Sequence, residues 1–452
     1  NLTSRHKVSD ADQADGSRVE CVNCHNPHYV TSANRLADPD NTNTKWTADT
    51  TSFCLKCHDS GPYPVSQVDS TTVVPYSVNF PTVSFSTNPG GWNKTGYLSS
   101  GHSARSYQCT ECHDPHGSTN NWLTKSFEEG NCTKCHDGST AGAANINGLL
   151  GKAYKHPVND PAKNNAHSNT ENYASILTRH AECTDCHNPH EANSSTPAVR
   201  NGADQGPLKG VSGVGVNWAN VPAGAEPASG DFIIKPGADL QAEVCLKCHS
   251  NYAYGASPPS GQTNQAKEFN PANSSVHPVF GSGNNPYTTS TATNGNKVTM
   301  EAPFNQTANE HTPLKCTDCH GVDTTAATYS ADTNVKGPHG SSNQYMLKKD
   351  PNSDAFCLLC HKTSVYKSGG AGSRFGSHSS HSGRTCRTCH GGNTVTYPNR
   401  KGFIHGTNAQ YQDIVSGSST PTTKITHFLS GDGFTGWATG RCYTTQHGSR
   451  TY

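Results

Sequence analysis

Residues 109–136 read CTECHDPHGSTNNWLTKSFEEGNCTKCH and contain the pattern C-x-x-C-H twice. Three residue steps place two side chains about one helical turn apart, so both sulfurs can lie on one face, with the histidine directly after them. The pattern accounts for 18 of the 19 cysteines in the 452-residue chain. In chain order, motifs 1 to 9 begin at Cys21, Cys54, Cys109, Cys132, Cys183, Cys245, Cys316, Cys357 and Cys386.

This pattern has the chemistry of covalent haem attachment. The two thiols add to the vinyl groups of a haem, and the adjacent histidine becomes the proximal ligand of the iron. Zinc sites and disulfides also use paired cysteines, but neither requires a histidine after every second cysteine. We therefore expect nine covalently bound haem c groups. The attaching cysteines are Cys21, Cys24, Cys54, Cys57, Cys109, Cys112, Cys132, Cys135, Cys183, Cys186, Cys245, Cys248, Cys316, Cys319, Cys357, Cys360, Cys386 and Cys389. The proximal ligands are His25, His58, His113, His136, His187, His249, His320, His361 and His390.

The composition is unusual for a chain of this length. Only 31% of the residues are apolar, the mean hydropathy is −0.73, and there are 43 glycines and 27 prolines. Such a chain buries too little side-chain surface to offset the entropy of ordering its backbone. We therefore predict a mostly irregular, loop-rich fold with a haem-packed core, short helical turns at the motifs and a few β-hairpins. The best strand candidates are residues 73–85 and 287–300.

The motifs come in pairs, which we call doublets. Motifs 1 and 2, 3 and 4, and 5 and 6 form three of them, each opening with an extended C-H-x-P-H. Motifs 7 and 8 form a degenerate fourth, and motif 9 stands alone. The spacers vary too much for a solenoid of fixed period. We predict a nonahaem region over residues 1–390 and a haem-free tail or cap, rich in Gly, Ser and Thr, over residues 391–452.

The second axial ligands are predicted to be histidines. The chain has 25 histidines and 2 methionines, and bis-histidine ligation gives low-potential haems. Proline stiffens the C-H-x-P-H turn and directs its last imidazole towards a neighbouring haem. The distal candidates are His28, His116 and His190 in these turns, and His6, His102, His156, His180, His277, His311, His339 and His381 elsewhere. His405, His427 and His447 lie in the tail and are assigned structural roles. Cys442, the unpaired cysteine, is left without a role.

The doubled motif with its C-H-x-P-H extension resembles the doubled-CXXCH multihaem cytochromes of dissimilatory metal-reducing and related microbes. The long spacers rich in Gly, Ser, Thr and Asn are similar to those of extracellular cytochromes that polymerise into filaments, the cytochrome nanowires. The resemblance covers residues 6–390. It implies haems stacked in a row and, near one end, a histidine that ligates a haem of the next subunit. His6 is the residue that most resembles such a donor. Nine haems differ from the number in the best-known filament cytochromes.

The function expected is extracellular electron transfer by hopping along nine bis-histidine haems, within a filament. A monomeric periplasmic or cell-surface carrier or metal reductase is the alternative. A nitrite- or tetrathionate-type reductase is disfavoured, because no C-x-x-C-K motif is present and histidines are in excess. We therefore predict that the chain is not an enzyme.

The expected surroundings follow from charge and hydropathy. Lys plus Arg equals Asp plus Glu at 34 each, which argues against a nucleic-acid partner, and no apolar run reaches membrane-spanning length. Residue 1 is Asn, and we expect an exported protein with its signal removed. The expected partners are further copies of the chain, other redox proteins and extracellular acceptors such as Fe(III) minerals. The expected location is the cell surface or extracellular space, with the periplasm as the alternative.

Overall fold

The computed structural model describes residues 6, 20–28, 36–58, 72–73, 84–85, 94–120, 123–158, 180–198, 200–256, 258–259, 262–273, 275–281, 300–305, 314–334, 337–351, 353–367, 386, 405–407, 440–442 and 445–447. Over these residues the chain is loop-rich, with short helices and small antiparallel sheets, as the composition predicts. No helix within this part of the chain is long and apolar enough to cross a membrane.

The α-helices are short, and most of them lie at the C-x-x-C-H motifs. They are α1 (Cys21–Cys24), α2 (Thr50–Cys54), α3 (Lys94–Leu98), α4 (Cys109–Cys112), α5 (Glu128–Thr133), α6 (Asn147–Leu150), α7 (Cys183–Cys186), α8 (Gln241–His249), α9 (Asn251–Tyr254), α10 (Gln265–Glu268), α11 (Cys316–Cys319), α12 (Asp354–Cys357) and α13 (Thr363–Tyr366).

The two motifs of a doublet begin their helices differently. In motifs 1, 3, 5 and 7 the helix starts at the first cysteine, whereas in motifs 2, 4, 6 and 8 it starts three or four residues earlier. In three of the first class the residue before the second cysteine caps the helix: Asn23, Asp185 and Asp318 each accept the N–H of the residue before the first cysteine, at 2.6, 2.8 and 2.8 Å. The degenerate doublet of motifs 7 and 8 follows the same rule as the others.

A backbone hydrogen bond sets the geometry of motifs 1 to 5, 7 and 8. The histidine N–H donates to the carbonyl of the first cysteine four residues earlier, for example from His25 to Cys21 at 2.8 Å and from His320 to Cys316 at 2.9 Å. One closed helical turn therefore fixes the histidine relative to the two thiols.

The strands form two-stranded antiparallel sheets. The pairs are β1 (Ala37–Asp38) with β2 (Asn41–Lys45), β3 (Thr72–Val73) with β4 (Ser84–Phe85), β5 (Tyr154–Lys155) with β9 (Gly340–Ser341), β6 (Gly213–Val216) with β7 (Phe232–Lys235), β8 (Ser275–Val276) with β10 (Gly406–Thr407), and β11 (Gly440–Cys442) with β12 (Thr445–His447). The strands β3 and β4 lie at the two ends of the first predicted strand segment. Residues 287–299 of the second lie outside the described residues.

Residues 203–280 contain a side-chain core that the average composition did not reveal. All four residues of β6 are buried, and Val214 packs with Tyr252 beneath Phe232 and Ile234 of β7. The Phe232 and Tyr252 rings meet edge to face, with centroids 5.4 Å apart. Apolar residues are concentrated in this segment, so burial of ordinary side chains stabilises it. The expectation that haem replaces such a core throughout the chain therefore needs correction here.

Candidate haem sites

Seven of the motif histidines face a second imidazole at nearly constant distance. The pairs and their ring-centre distances are His25 with His116 (6.0 Å), His58 with His6 (6.2 Å), His113 with His190 (6.1 Å), His136 with His102 (6.5 Å), His187 with His339 (6.1 Å), His249 with His156 (6.1 Å) and His320 with His405 (6.1 Å). A metal–imidazole bond is about 2 Å long, and the ring centre lies about 1 Å further out. Two imidazoles on opposite sides of one iron therefore have centres about 6 Å apart, and these seven pairs fit that requirement.

The facing histidine never comes from the same motif. Motifs 1, 3, 5 and 7 face a ring from further along the chain, whereas motifs 2, 4 and 6 face a ring that precedes them. The pairing is displaced by one doublet. His116 of the second doublet faces motif 1, His190 of the third faces motif 3, and His339 of the fourth faces motif 5.

In each of the first three doublets, the ring that faces the second motif forms a hydrogen bond with the backbone next to the histidine that faces the first motif. The Nδ1 atoms of His6, His102 and His156 bond to the carbonyls of Pro115, Pro189 and Pro338 at 2.7, 2.9 and 2.8 Å. These prolines directly precede His116, His190 and His339. The bond occupies Nδ1 and leaves Nε2 of each ring available for iron.

The angle between the two rings differs systematically between the motifs of a doublet. In motifs 1, 3 and 5 the ring planes are nearly parallel, at 23°, 17° and 15°. In motifs 2, 4 and 6 they are steeply inclined, at 55°, 70° and 64°. The pair of motif 7 is intermediate at 46°.

Burial keeps several of these imidazoles neutral, which is the form that binds iron. It lowers the pKa of His58, His156 and His187. Burial and the facing ring together lower the pKa of His320 and of His339 to about 4.

Thiols of neighbouring doublets meet in pairs. The first cysteine of each even-numbered motif lies within hydrogen-bonding reach of the first cysteine of the next motif; the pairs are Cys54 with Cys109, Cys132 with Cys183, Cys245 with Cys316, and Cys357 with Cys386. Before haem attachment, a shared proton shifts the first two pairs in opposite directions: the pKa of Cys109 falls to about 7 and that of Cys132 falls, while those of Cys54 and Cys183 rise. The doublets are therefore joined end to end through their attachment points.

His405 was assigned a structural role from the sequence, but its ring faces His320 of motif 7. Its segment repeats an arrangement found elsewhere. The strand after His339 pairs with the strand before His156, and the strand after His405 pairs with the strand before His277. The His-Gly dipeptides at 339–340 and 405–406 are the sequence signal from which this role of His405 could have been predicted. By this equivalence His277 corresponds to His156, and its N–H donates to the carbonyl of His405 at 2.9 Å.

The other predicted residues have different surroundings. His6 faces His58 of its own chain, in contrast to the intersubunit role that the sequence suggested. His180 lies 3.5 Å from Glu182 through Nε2, and both side chains are largely buried. The ring of His361 meets Tyr366 edge to face at 5.3 Å. His311, His381, Cys389 and His390 lie outside the described residues.

Comparison with known proteins bears on the motifs. The doubled CXXCH motif family model matches residues 14–62, 102–141 and 309–365. Neither the curated proteins nor the solved structures gave a match to the chain. The doubled motifs indicate a multihaem c-type cytochrome, with covalently bound haem c and a role in electron transfer.

Proposed function

We propose that this chain binds nine haem c groups with two axial histidines each and conducts electrons along them outside the cytoplasm. The observation that carries the proposal is the set of seven imidazole pairs at iron-spanning distance, three of which join motifs 1, 3 and 5 to a ring of the next doublet. Haem iron bound between such rings supplies one-electron exchange between its ferric and ferrous states. His277 is the proposed partner for motif 8, by its equivalence to His156.

The residues of the chain hold the centres at fixed positions relative to one another. The hydrogen bonds from His6, His102 and His156 orient their rings, and the attachment cysteines of one doublet lie beside those of the next, which places neighbouring attachment points side by side. Fixed donors need little reorganisation when charge moves, which favours rapid transfer. Two histidines at an iron leave no open position for a substrate, so conduction is favoured over a reductase of the nitrite or tetrathionate type.

We further propose that copies of the chain join into a filament, with His28 as the donor between them. His28 ends the same turn as His116 and His190: the three N–H groups donate to Asn26, Asp114 and Asn188 at 2.9, 3.0 and 3.0 Å. His28 is exposed and faces no motif histidine among the described residues. Displacement by one doublet carries His28 to a motif outside the nine of its own chain, and we propose that this motif is motif 9 of the next copy.

Extracellular acceptors such as Fe(III) minerals, and other redox proteins at the cell surface, are the proposed partners. The periplasmic or cell-surface monomer remains the second candidate, and it differs from the filament in one measurable respect. In a monomer His28 ligates no haem of another copy, so its removal should leave the state of assembly unchanged.

The experiment has two stages. Iron and protein analysis of the purified native chain should give nine haems per chain, with an absorption spectrum of low-spin iron and no binding of carbon monoxide to the reduced protein. Cryo-electron microscopy of wild type and His28→Ala then tests assembly, with His427→Ala in the tail as a control. Filaments that are lost only in His28→Ala support the polymer. Dispersed wild-type particles would refute it while leaving the haem count intact.

A further inference from the structure

The hydrogen-bond partner of His405 differs in charge from those of six other imidazoles. In six rings, Nδ1 bonds to a backbone carbonyl; these are His6, His102, His136, His156, His187 and His320. In His405, Nδ1 lies 2.7 Å from Oε2 of the Glu268 carboxylate. A carboxylate is a stronger acceptor than an amide carbonyl because it carries a full negative charge.

Several contacts hold His405 in this position. Glu268 is the last residue of helix α10, and its side chain is only 12% exposed, against 23% for His405. The His405 ring packs on Phe269 with centroids 4.7 Å apart. The strand β10 that follows His405 pairs with β8, and the His405 carbonyl accepts the N–H of His277. The carboxylate and the ring are therefore fixed relative to each other and to His320.

The two sides of motif 7 are unequal in charge. On the His320 side, Nδ1 bonds to the neutral carbonyl of Tyr345 at 2.8 Å. On the His405 side it bonds to a carboxylate. An N–H that donates to a carboxylate makes the imidazole more electron-rich, and an electron-rich ligand stabilises ferric over ferrous iron.

We propose that Glu268 is a positioning residue that lowers the reduction potential of the haem at motif 7 through His405. The proposal rests on the proposed ligation of that haem by His320 and His405. The redox step is a single-electron exchange: the ferric iron accepts one electron from a ferrous neighbour or external reductant, and no bond forms or breaks. Motif 7 is then a low-potential centre late in the row. Its reduction is less favourable than with an amide acceptor on the same ring.

The test uses the full-length holoprotein carrying Glu268→Gln, which retains the size and hydrogen-bonding capacity of the side chain but removes its charge. Spectroscopic redox titration should show one ninth of the haem absorbance moving to a higher potential, with about a tenfold change in the Fe(III)/Fe(II) ratio, or about 59 mV. Glu268→Asp, which keeps the charge, should restore at least part of the wild-type potential. Glu226→Gln is the matched control. Glu226 lies 3.8 Å from Lys267, the residue next to Glu268 in helix α10, so the substitution removes a nearby carboxylate charge.

The haem count and the circular dichroism of each variant verify that it has folded. An unchanged titration in folded Glu268→Gln would overturn the proposal, as would an equal shift in Glu226→Gln. If Glu268→Gln fails to fold, Glu268→Asn and Glu268→Asp form the matched pair, because they have the same size and differ in charge. A higher potential in Glu268→Asn than in Glu268→Asp would support the proposal, and equal potentials would overturn it.

His405→Ala separates this inference from the proposed ligation. One high-spin, carbon monoxide-binding haem in that variant supports His405 as a ligand. If His405→Ala opens no iron, the ligand assignment fails and the inference fails with it. If it opens one iron but Glu268→Gln leaves every potential unchanged, only the role of Glu268 is wrong.

Discussion

Replacing His116 with alanine should open the iron of motif 1 and leave motif 3, which His116 follows in sequence, six-coordinate. The His116 side chain is 81% exposed, so its loss removes little packing. Its ring faces His25 at 6.0 Å with an interplanar angle of 23°. The substitution therefore removes one centre of the near-parallel class.

Electron paramagnetic resonance distinguishes the two classes of ring pair. Near-parallel axial imidazoles lift the degeneracy of the iron d orbitals and give a rhombic low-spin signal, whereas steeply inclined rings leave the orbitals nearly degenerate and give a signal with a large maximal g value. Three described pairs are near-parallel, and motifs 8 and 9 add at most two more. His116→Ala should therefore remove about one fifth to one third of the rhombic intensity and add a high-spin ferric signal.

The matched variant is His102→Ala. His102 faces His136 at 70°, in the steep class, so its removal should reduce the large-g signal and spare the rhombic one. Both variants should bind one carbon monoxide per chain when reduced. Loss of large-g intensity in His116→Ala, or no high-spin iron in either variant, would refute the displaced pairing.

Two further predictions concern stability. The Asp318 carboxylate contacts Arg200 at 2.6 and 2.7 Å and accepts a hydrogen bond from the Tyr329 hydroxyl at 2.6 Å. Because Asp318→Asn removes this buried charge, it should lower the free energy of unfolding by about 3 kcal/mol in guanidinium titrations. An effect below about 1 kcal/mol would contradict the reasoning. Burial and the neighbouring Glu182 raise the pKa of Glu128 to about 9. The folded state therefore retains a proton that the unfolded state releases near pH 4.5. As a result, the free energy of unfolding should fall as the pH rises from about 5 to 9. Glu128→Gln should flatten this dependence in denaturation curves at pH 6 and 9, and an unchanged slope would show that other groups cause it.

The attachment motifs were accessible from the sequence because their chemistry is local. A thiol pair and its histidine lie within one helical turn, so spacing alone predicts the turn that the backbone bond from His25 to Cys21 closes. The stiff C-H-x-P-H turn also predicted a ring directed away from its own haem, and the rings of His116 and His190 lie opposite motif histidines of the preceding doublet.

The facing partners were less accessible, because they depend on contacts between distant segments. His405 and His320 are 85 residues apart in sequence, and they meet because β10 pairs with β8. Nothing near His405 repeats a motif except the glycine after it. His6 presented the opposite difficulty: its isolation near the first residue suggested a donor to another copy, yet its hydrogen bond to Pro115 holds it at His58.

The displaced pairing has a structural consequence beyond ligation. If each doublet received its rings from within itself, no iron ligand would connect one doublet to the next. The rings of His116, His190 and His339 face motifs of the preceding doublet, so an iron ligated as proposed would cross-link two doublets. Such links would oppose the entropy of a chain rich in glycine and proline, because each one fixes two distant segments to one iron. The bonds proposed to complete each centre would thus also hold successive doublets together.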